Sequence, residues 1–446
     1  MNSVGHITVL LILSVVFLFL HGQAAAQSRE DYGSLVKQVD ILLGDTEEVS
    51  HLPKEEIIPE IHGFLEGRVG YRLVKDPFED DMLMGETRLQ LQTSSRLSAI
   101  ELNFKGDAIG DMVTEQGEFD LREGNIAFNL FGFADATVGR QILTWGTGDL
   151  VFINDLFPKD WRSFYIGRDE EYLNAPSDAA RMTLHGDWAN LDVVYTPKFD
   201  PDRYPTGQRL SFYDPLFGGI TGDPVISTDT PNRWFQDDET ALRLYKNIDN
   251  CEYAIYAYRG FWKSPSGTIL SEEVFFPDLS VYGASLRGDM ITGTGNVEFG
   301  YYQSDDNESG KDPLINNSEL RFLAGYTSEL SEGYTASLQY YLEYMTDWST
   351  YYAKLPAELP LRDRTRHLIT MRLTRLLLKQ NLRLDMFTYF SPTDKDAYLR
   401  PNASYKINDN LTVECGANVF LGDYPNTAFG QLHNNTNIYS AIRYSF

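Results

Sequence analysis

From Glu60 onward the chain alternates apolar and polar residues with period two. In "FLEGRVGYRL", Leu65, Val69, Tyr71 and Leu73 share one face, and Glu66, Arg68, Gly70 and Arg72 share the other. The pattern recurs in "GETRLQLQT", "AIELNFKGD", "ITGTGNVEFGYY", "LRFLAGYT", "GYTASLQYYLEYM", "HLITMRLTR", "NLRLDMFTYF" and "LTVECGANVFLG". Successive side chains of a strand point to opposite faces, so each stretch reads as a strand with one wet and one greasy side. Strands of about 9–11 residues cross a bilayer at a tilt. One such segment is a weak signal; the same signal repeated along a whole chain is a strong one.

The connections alternate too. Tight turns are expected at "TSSR" (93–96), "FGFAD" (131–135), "HGDWAN" (185–190), "NIDN" (247–250), "RGDM" (287–290), "ELSEG" (329–333), "LLKQN" (377–381) and "INDN" (407–410). Long polar loops are expected near 75–82, 108–117, 145–178, 198–236, 262–278, 303–317, 346–363, 391–395 and 422–434. Short periplasmic turns and long extracellular loops mark outer-membrane barrels, and a water-soluble barrel has no reason to alternate its loop lengths. Eight turns and nine loops predict an all-β, antiparallel transmembrane barrel of about eighteen strands, with both termini in the periplasm.

The N-terminal "MNSVGHITVLLILSVVFLFLHGQAAAQ" places an apolar run before small residues and reads as a secretory signal peptide over 1–26, although its first residues lack Lys and Arg. Residues 27–59 hold eight acids and three bases and read as a periplasmic lead segment, leaving 60–446 for the barrel. The net charge of -26 is the balance of 38 Lys and Arg against 64 Asp and Glu. It argues against nucleic acid as a partner. Mean hydropathy of -0.32 is compatible with a barrel, because half of each strand faces water. Cys251 and Cys415 are too few for a disulfide framework, and the strand count puts them on nearly opposite sides of the barrel, so no bond between them is expected. The strand "SAIRYSF" ends on Phe446, with Ile442, Tyr444 and Phe446 on one face. That aromatic end is the expected contact with the barrel-assembly machinery. "EFGYY", "QYYLEY" and "FTYF" are candidates for aromatic girdles at the lipid interfaces.

A barrel of this size leaves an aqueous channel. The facing assignment lines it with Arg68, Arg72, Arg88, Arg243, Arg287, Arg321, Arg372, Arg383, Arg400 and Arg443, and with Glu101, Glu123 and Glu298. Lys105, Arg181, Lys406, Glu66, Glu86, Asp135, Asp192, Glu239, Glu319, Glu343, Asp385 and Glu414 fall on the same side. Two readings stand open: arginine forks that hold the carboxylates or phosphates of a passing solute, or cross-strand pairs that only solvate a wide pore.

Loop 145–178 is too apolar to hang in water, with Leu150, Val151, Phe152, Ile153, Leu156, Phe157, Trp161 and Phe164. A long loop with its own hydrophobic content is expected to fold, either into the bore as a constriction or over the rim against loop 198–236. Constriction is the favoured expectation. Its candidate residues are Arg140, Gln141, Trp145, Asp149, Asn154, Asp155, Asp160 and Trp161.

The stretch "VGRQILTWGTGDLVFINDLFPKD" (138–160) resembles the strand-then-loop motif of porin-like barrels related to the bacterial alginate exporter, through Gly139, Arg140, Gln141, Trp145, Gly146, Asn154 and Asp155. "ASYKINDNLTVECGANVFLGD" resembles the same group's penultimate hairpin. The resemblance implies an outer-membrane diffusion channel for anionic or hydrophobic organic solutes. The group's exporter implies a strongly basic lining; the mixed lining here does not carry polyuronate with it.

His185 and His367 each stand alone on a strand, and no Ser-His-acid set falls at one height on one face, so no catalysis is expected. No cofactor is implied. The expected partners are membrane lipid, lipopolysaccharide and small solutes. The expected function is a passive porin-like channel. The alternative is a receptor or adhesin that binds through loops 145–178 and 198–236.

Overall fold

The computed structural model describes residues 60–446 apart from 131, 216, 223–227 and 269–273. The expected signal peptide and lead segment lie outside the described residues. Eighteen strands form one closed antiparallel sheet. The first seven are β1 (Ile61–Arg72), β2 (Met82–Leu97), β3 (Ile100–Asp111), β4 (Gln116–Leu130), β5 (Ala134–Ile142), β6 (Pro176–Leu184) and β7 (Asn190–Thr196). Then come β8 (Glu239–Ile248), β9 (Cys251–Phe261), β10 (Asp278–Met290), β11 (Gly293–Ser304), β12 (Glu319–Ser331) and β13 (Tyr334–Met345). The last five are β14 (Thr365–Leu377), β15 (Leu382–Ser391), β16 (Asp396–Lys406), β17 (Leu411–Gly422) and β18 (Asn437–Ser445). Each strand pairs with its sequence neighbours, and β18 pairs with β1 from Phe64↔Ser445 to Arg72↔Asn437. Gly63 and Phe446 exchange both backbone hydrogen bonds at 3.0 Å, so the terminal residue takes part in the closure that removes the sheet edges.

The wall is inverted relative to a protein dissolved in water. On β1, Leu65 and Tyr71 are about half exposed, while Glu66 is 4% and Arg68 2% exposed. Ile255, Phe299, Leu338 and Ile442 face outward in the same way on later strands, while Arg88, Asp192, Glu298 and Gln339 are buried inside. A large exposed apolar surface around a polar interior is the arrangement that lipid demands, and a closed barrel satisfies every strand's backbone without water.

Turns are tight at one end. Asp249 and Asn250 both take positive φ (48° and 64°), the twist that a two-residue hairpin needs, and Asn and Asp tolerate it best. Two expected turns move: "TSSR" lies inside β2, whose pairing continues to Leu97↔Ile100, and "RGDM" lies inside β10, which pairs up to Met290↔Gly293. Two expected long loops are corrected. Between β3 and β4, and between β15 and β16, only residues 112–115 and 392–395 leave the ladder. Gly110, Asp111 and Gly117 gave the 108–117 stretch its loop-like composition, yet Gly110 pairs with Gly117 and Asp111 with Gln116 in the ladder.

Larger connections gather at the other end. The β7–β8 loop carries the hairpin Phe212–Asp214 with Gly219–Thr221. It also pairs Thr228–Asp229 with Val274–Phe275 of the β9–β10 loop. Cys251 and Cys415 are free thiols on β9 and β17. No helix among the described residues is long and apolar enough to cross a membrane.

Candidate functional site: a folded loop across the bore

The β5–β6 connection, residues 143–175, leaves the rim and folds inside the barrel. Its apolar residues Leu150, Val151, Ile153, Phe157, Phe164 and Leu173 form one buried cluster with inward-facing Tyr258, Tyr302, Leu323, Tyr389, Tyr398 and Phe420 of the wall. Burying such side chains contributes roughly 1.5–3 kcal/mol each, which explains why a loop so apolar does not stay in water. Tyr389 donates to the carbonyl of Leu150 at 2.8 Å, and Tyr302 to that of Ile153 at 2.5 Å.

Polar anchors hold the loop near mid-height. Glu298, at the middle of β11 and 1% exposed, accepts from Thr147 N–H, Thr147 Oγ1 (2.8 Å), Gly148 N–H (2.9 Å), Asn154 N–H (3.3 Å) and Asn154 Nδ2 (3.0 Å). A buried carboxylate is tolerable only with such donors around it. Gln339 accepts from Asp149 N–H at 2.7 Å and donates to its carbonyl at 2.8 Å. Arg372 holds Asp149 in a bidentate pair through Nε and Nη2, at 2.7 and 2.9 Å, and reaches Glu170 at 3.1 Å.

The chain then crosses to the other wall. Asp160 caps the short helix Trp161–Ile166 by accepting from Ser163 N–H at 2.8 Å. Gly167 ends the helix at φ 91°, where an added Cβ would lie 2.3 Å from the Tyr439 ring. Its carbonyl accepts from Arg68 at 2.8 Å. Arg168 pairs with Glu86 at 2.6 Å, Asp169 with Arg443 at 3.1 Å, and Glu170 with Arg400 at 3.7 Å. Tyr172 accepts from Gln90 and lies beneath Arg88 and Arg122, whose guanidinium carbons are 4.1 and 4.9 Å from its ring centre.

Of the residues assigned to the bore, Arg68 binds Glu66 and Glu414 at 3.0 and 2.8 Å. Arg72 binds the carbonyls of Asp80 and Arg209. Arg88 binds Asp107 at 2.6 Å, and Arg243 binds Glu252 at 2.6 Å. Arg321 binds Glu319 at 2.9 Å and lies over Tyr302. Arg383 binds Asp385 at 3.2 Å, and Arg443 binds Glu66 at 2.8 Å. Glu101 accepts from Ser94 at 3.3 Å near the turn end, and Glu123 stands opposite Lys105. Arg287 lines the wall below the loop with no hydrogen-bond or ion-pair partner among the described residues.

The loop motif divides. Trp145 packs edge-on against Phe157 at 4.9 Å, and Asp155 accepts from Thr144 (2.7 Å) and Lys159 (2.9 Å). Gln141 is buried and donates to the Ala179 carbonyl at 3.0 Å. Arg140 sits apart, opposite Asp178, and binds both its oxygens at 3.0–3.1 Å. On β6 the inward set runs through Ala179, Arg181 and Thr183, so the pleat puts Asp178 and Arg140 on the outward side. Trp161 donates to Asp202 of the β7–β8 loop at 3.1 Å, and Asp160 pairs with Arg203 at 3.4 Å. The loop therefore enters the bore and also packs on its neighbour. Burial raises the Asp202 carboxyl above its usual range, against the donors Ser264 and Lys159.

Sequence reading missed Arg122, which is 1% exposed and donates to the carbonyls of Glu171 and Asn174. Strict alternation sends it outward. A bulge, with Lys105 opposite Glu123 and Gly106 opposite Leu121, gives Arg122 no partner of its own and turns it inward beside Glu123. Tyr302, Tyr341, Phe387 and Tyr389 were girdle candidates; all four are buried inside, and only Phe299, Tyr340 and Phe390 of those segments are exposed among the large hydrophobics.

The loop separates two spaces. Toward the long loops lies a chamber of about 860 Å³ floored by Phe152, Leu156 and Trp161. Toward the turns lie cavities of about 350 Å³ against β10–β14 and about 180 Å³ against β14–β18.

The architecture is shared with solved outer-membrane porins. OccD3 (OpdP) of Pseudomonas aeruginosa aligns over 86% of this chain and 91% of its own at 10% identity, with a TM-score of 0.51. OccAB3 of Acinetobacter baumannii aligns over 87% and 99% at 11% identity and 0.51. OpdQ of Pseudomonas aeruginosa aligns over 87% and 98% at 10% identity and 0.52. At such identities the likeness is one of fold. No family model and no curated protein sequence matches the chain.

Proposed function

We propose that this protein is an outer-membrane channel for passive diffusion of small solutes, with the β5–β6 loop as its constriction. The observation that carries it is a loop anchored at mid-height inside a barrel whose outer wall suits lipid and whose interior keeps polar chambers on both sides. The inward arginines and glutamates named above are the pore lining; all but Arg287 and Glu123 are tied to neighbours, which favours a solvated passage over a ladder of free forks. The N-terminal signal peptide directs export, and the turns then face the periplasm. The C-terminal strand, with Phe446 at its end, is the surface offered to the barrel-assembly machinery. Kinship with the alginate-exporter group rests on the 138–160 stretch and the 403–423 hairpin. Purified protein in a planar bilayer tests the reading: ohmic single-channel steps support it, and a silent membrane with verified insertion rejects it.

A further inference from the structure

The two cavities on the turn side differ in charge pairing. Against β14–β18, Arg168, Arg372, Arg383 and Arg400 meet Asp169, Glu170, Asp385 and Glu414. Those charges are balanced, and Glu170 and Asp385 are both held by Arg372. Against β10–β14 the lining holds Arg287, Arg372 and one acid, Asp149, which Arg372 already binds. Arg287 is left over. Its cross-strand neighbour Glu252 is bound by Arg243 at 2.6 Å, and Asp289, two residues along β10, accepts from Asn250 at 3.2 Å, so the Arg287 guanidinium has carboxylates nearby but an ion pair with neither.

The rest of that lining is rich in hydroxyls: Thr294, Thr327, Thr335, Ser337 and Thr374. Thr327 is spent on Ser337 at 2.9 Å, and Thr374 on Asp385. The side-chain hydroxyls of Thr294 and Thr335 have no hydrogen-bond partner among the described residues. The wall thus presents one rigid fork of donors beside hydroxyls that can each donate once. A guanidinium satisfies two oxygens in one plane; scattered hydroxyls suit oxygens that lie out of that plane.

We infer that the β10–β14 wall below the constriction is a binding step for a tetrahedral oxyanion, phosphate, sulfate or a phosphate ester, centred on Arg287. This deepens the channel reading and rests on it: the step lies where a solute leaves the constriction. A free fork there offers weak, reversible capture, which is what conduction needs. The surrounding salt-bridged groups do not compete, since their charges are already compensated.

The test uses the full-length protein, its Arg287→Gln variant and a Thr294→Val/Thr335→Val variant. In planar bilayers, inorganic phosphate added on the turn side should reduce wild-type current at lower concentration than acetate does. Arg287→Gln should weaken the phosphate effect about tenfold and move the reversal potential in a salt gradient toward cations. The double valine variant should weaken the phosphate effect and leave acetate unchanged. Phosphate binding by calorimetry on detergent-solubilised protein supplies a readout free of conduction. Binding lost in Arg287→Gln with silent bilayers would retain the site and reject the channel. Conducting bilayers with equal phosphate and acetate effects, or an Arg287→Gln variant that behaves as wild type, would overturn the inference.

Discussion

Two long connections leave the same end of this barrel and fold differently. The β5–β6 loop descends to mid-height and fastens to Glu298, Gln339, Arg372, Arg68 and Arg400. The β7–β8 loop stays at the rim, where Arg203 binds Asp120, Arg209 binds Asp111 and Glu86, and Ser211 binds Asp76, all on or near strand ends. Both loops are well supplied with aromatics and charge. The difference lies in the wall: strands β15–β17 offer Tyr389, Tyr398 and Phe420 as an aromatic shelf for Phe164 and Tyr165, and β11 offers an acid with no arginine of its own. A loop enters a bore when the wall supplies what its residues need.

That contrast can be broken most forcefully at Glu298. Glu298→Ala leaves buried amide and hydroxyl donors unsatisfied and should destabilise the docked loop by about 3 kcal/mol or more. Single-channel conductance should rise, and limited proteolysis should cut within 147–168, where the wild type resists. Arg372→Ala frees Asp149 and Glu170 and should cost about 2–3 kcal/mol of docking, with a smaller conductance rise in the same recordings. Gly167→Ala forces a side chain into the left-handed region and against Tyr439. It should cost about 1–3 kcal/mol and shift the loop's proteolysis pattern without changing barrel formation, judged by heat-modifiable gel mobility.

At the rim the effects shrink. Arg203→Ala removes a mostly buried guanidinium that pairs with Asp120 at 2.9 Å and Asp160 at 3.4 Å, so about 1–2 kcal/mol is expected, with a conductance change smaller than that of Arg372→Ala. The smallest effect is a pH trend at Asp202. Its carboxyl sits higher in the docked state than when free, so docking takes up a proton. The contact between the loops should therefore strengthen as pH falls toward the ordinary Asp range near 4 and weaken as pH rises above it. Protease resistance of the β7–β8 loop should follow that direction in wild type and lose its slope in Asp202→Asn.

Much of the barrel was legible because period-two alternation is a local signal and the strands obey it. Eighteen strands, the facing of β1 and β18, and the separation of Cys251 from Cys415 follow from it directly. Arg122 was not legible, because a bulge adds one residue to one strand and leaves no mark in composition. Tyr302 and Tyr389 were misread as girdle residues for a different reason. An aromatic on a strand suits lipid and a buried loop equally well, and only the loop's position decides which it meets. The free Arg287 was invisible as such, since sequence gives its facing but not which neighbours are already occupied.

The most direct test of the constriction is conductance after removing residues 150–170. The account predicts an ohmic pore several-fold more conductive than wild type, in a barrel that still folds and inserts. Equal conductance in the two proteins would contradict it, because the loop would then sit in the bore without limiting the passage.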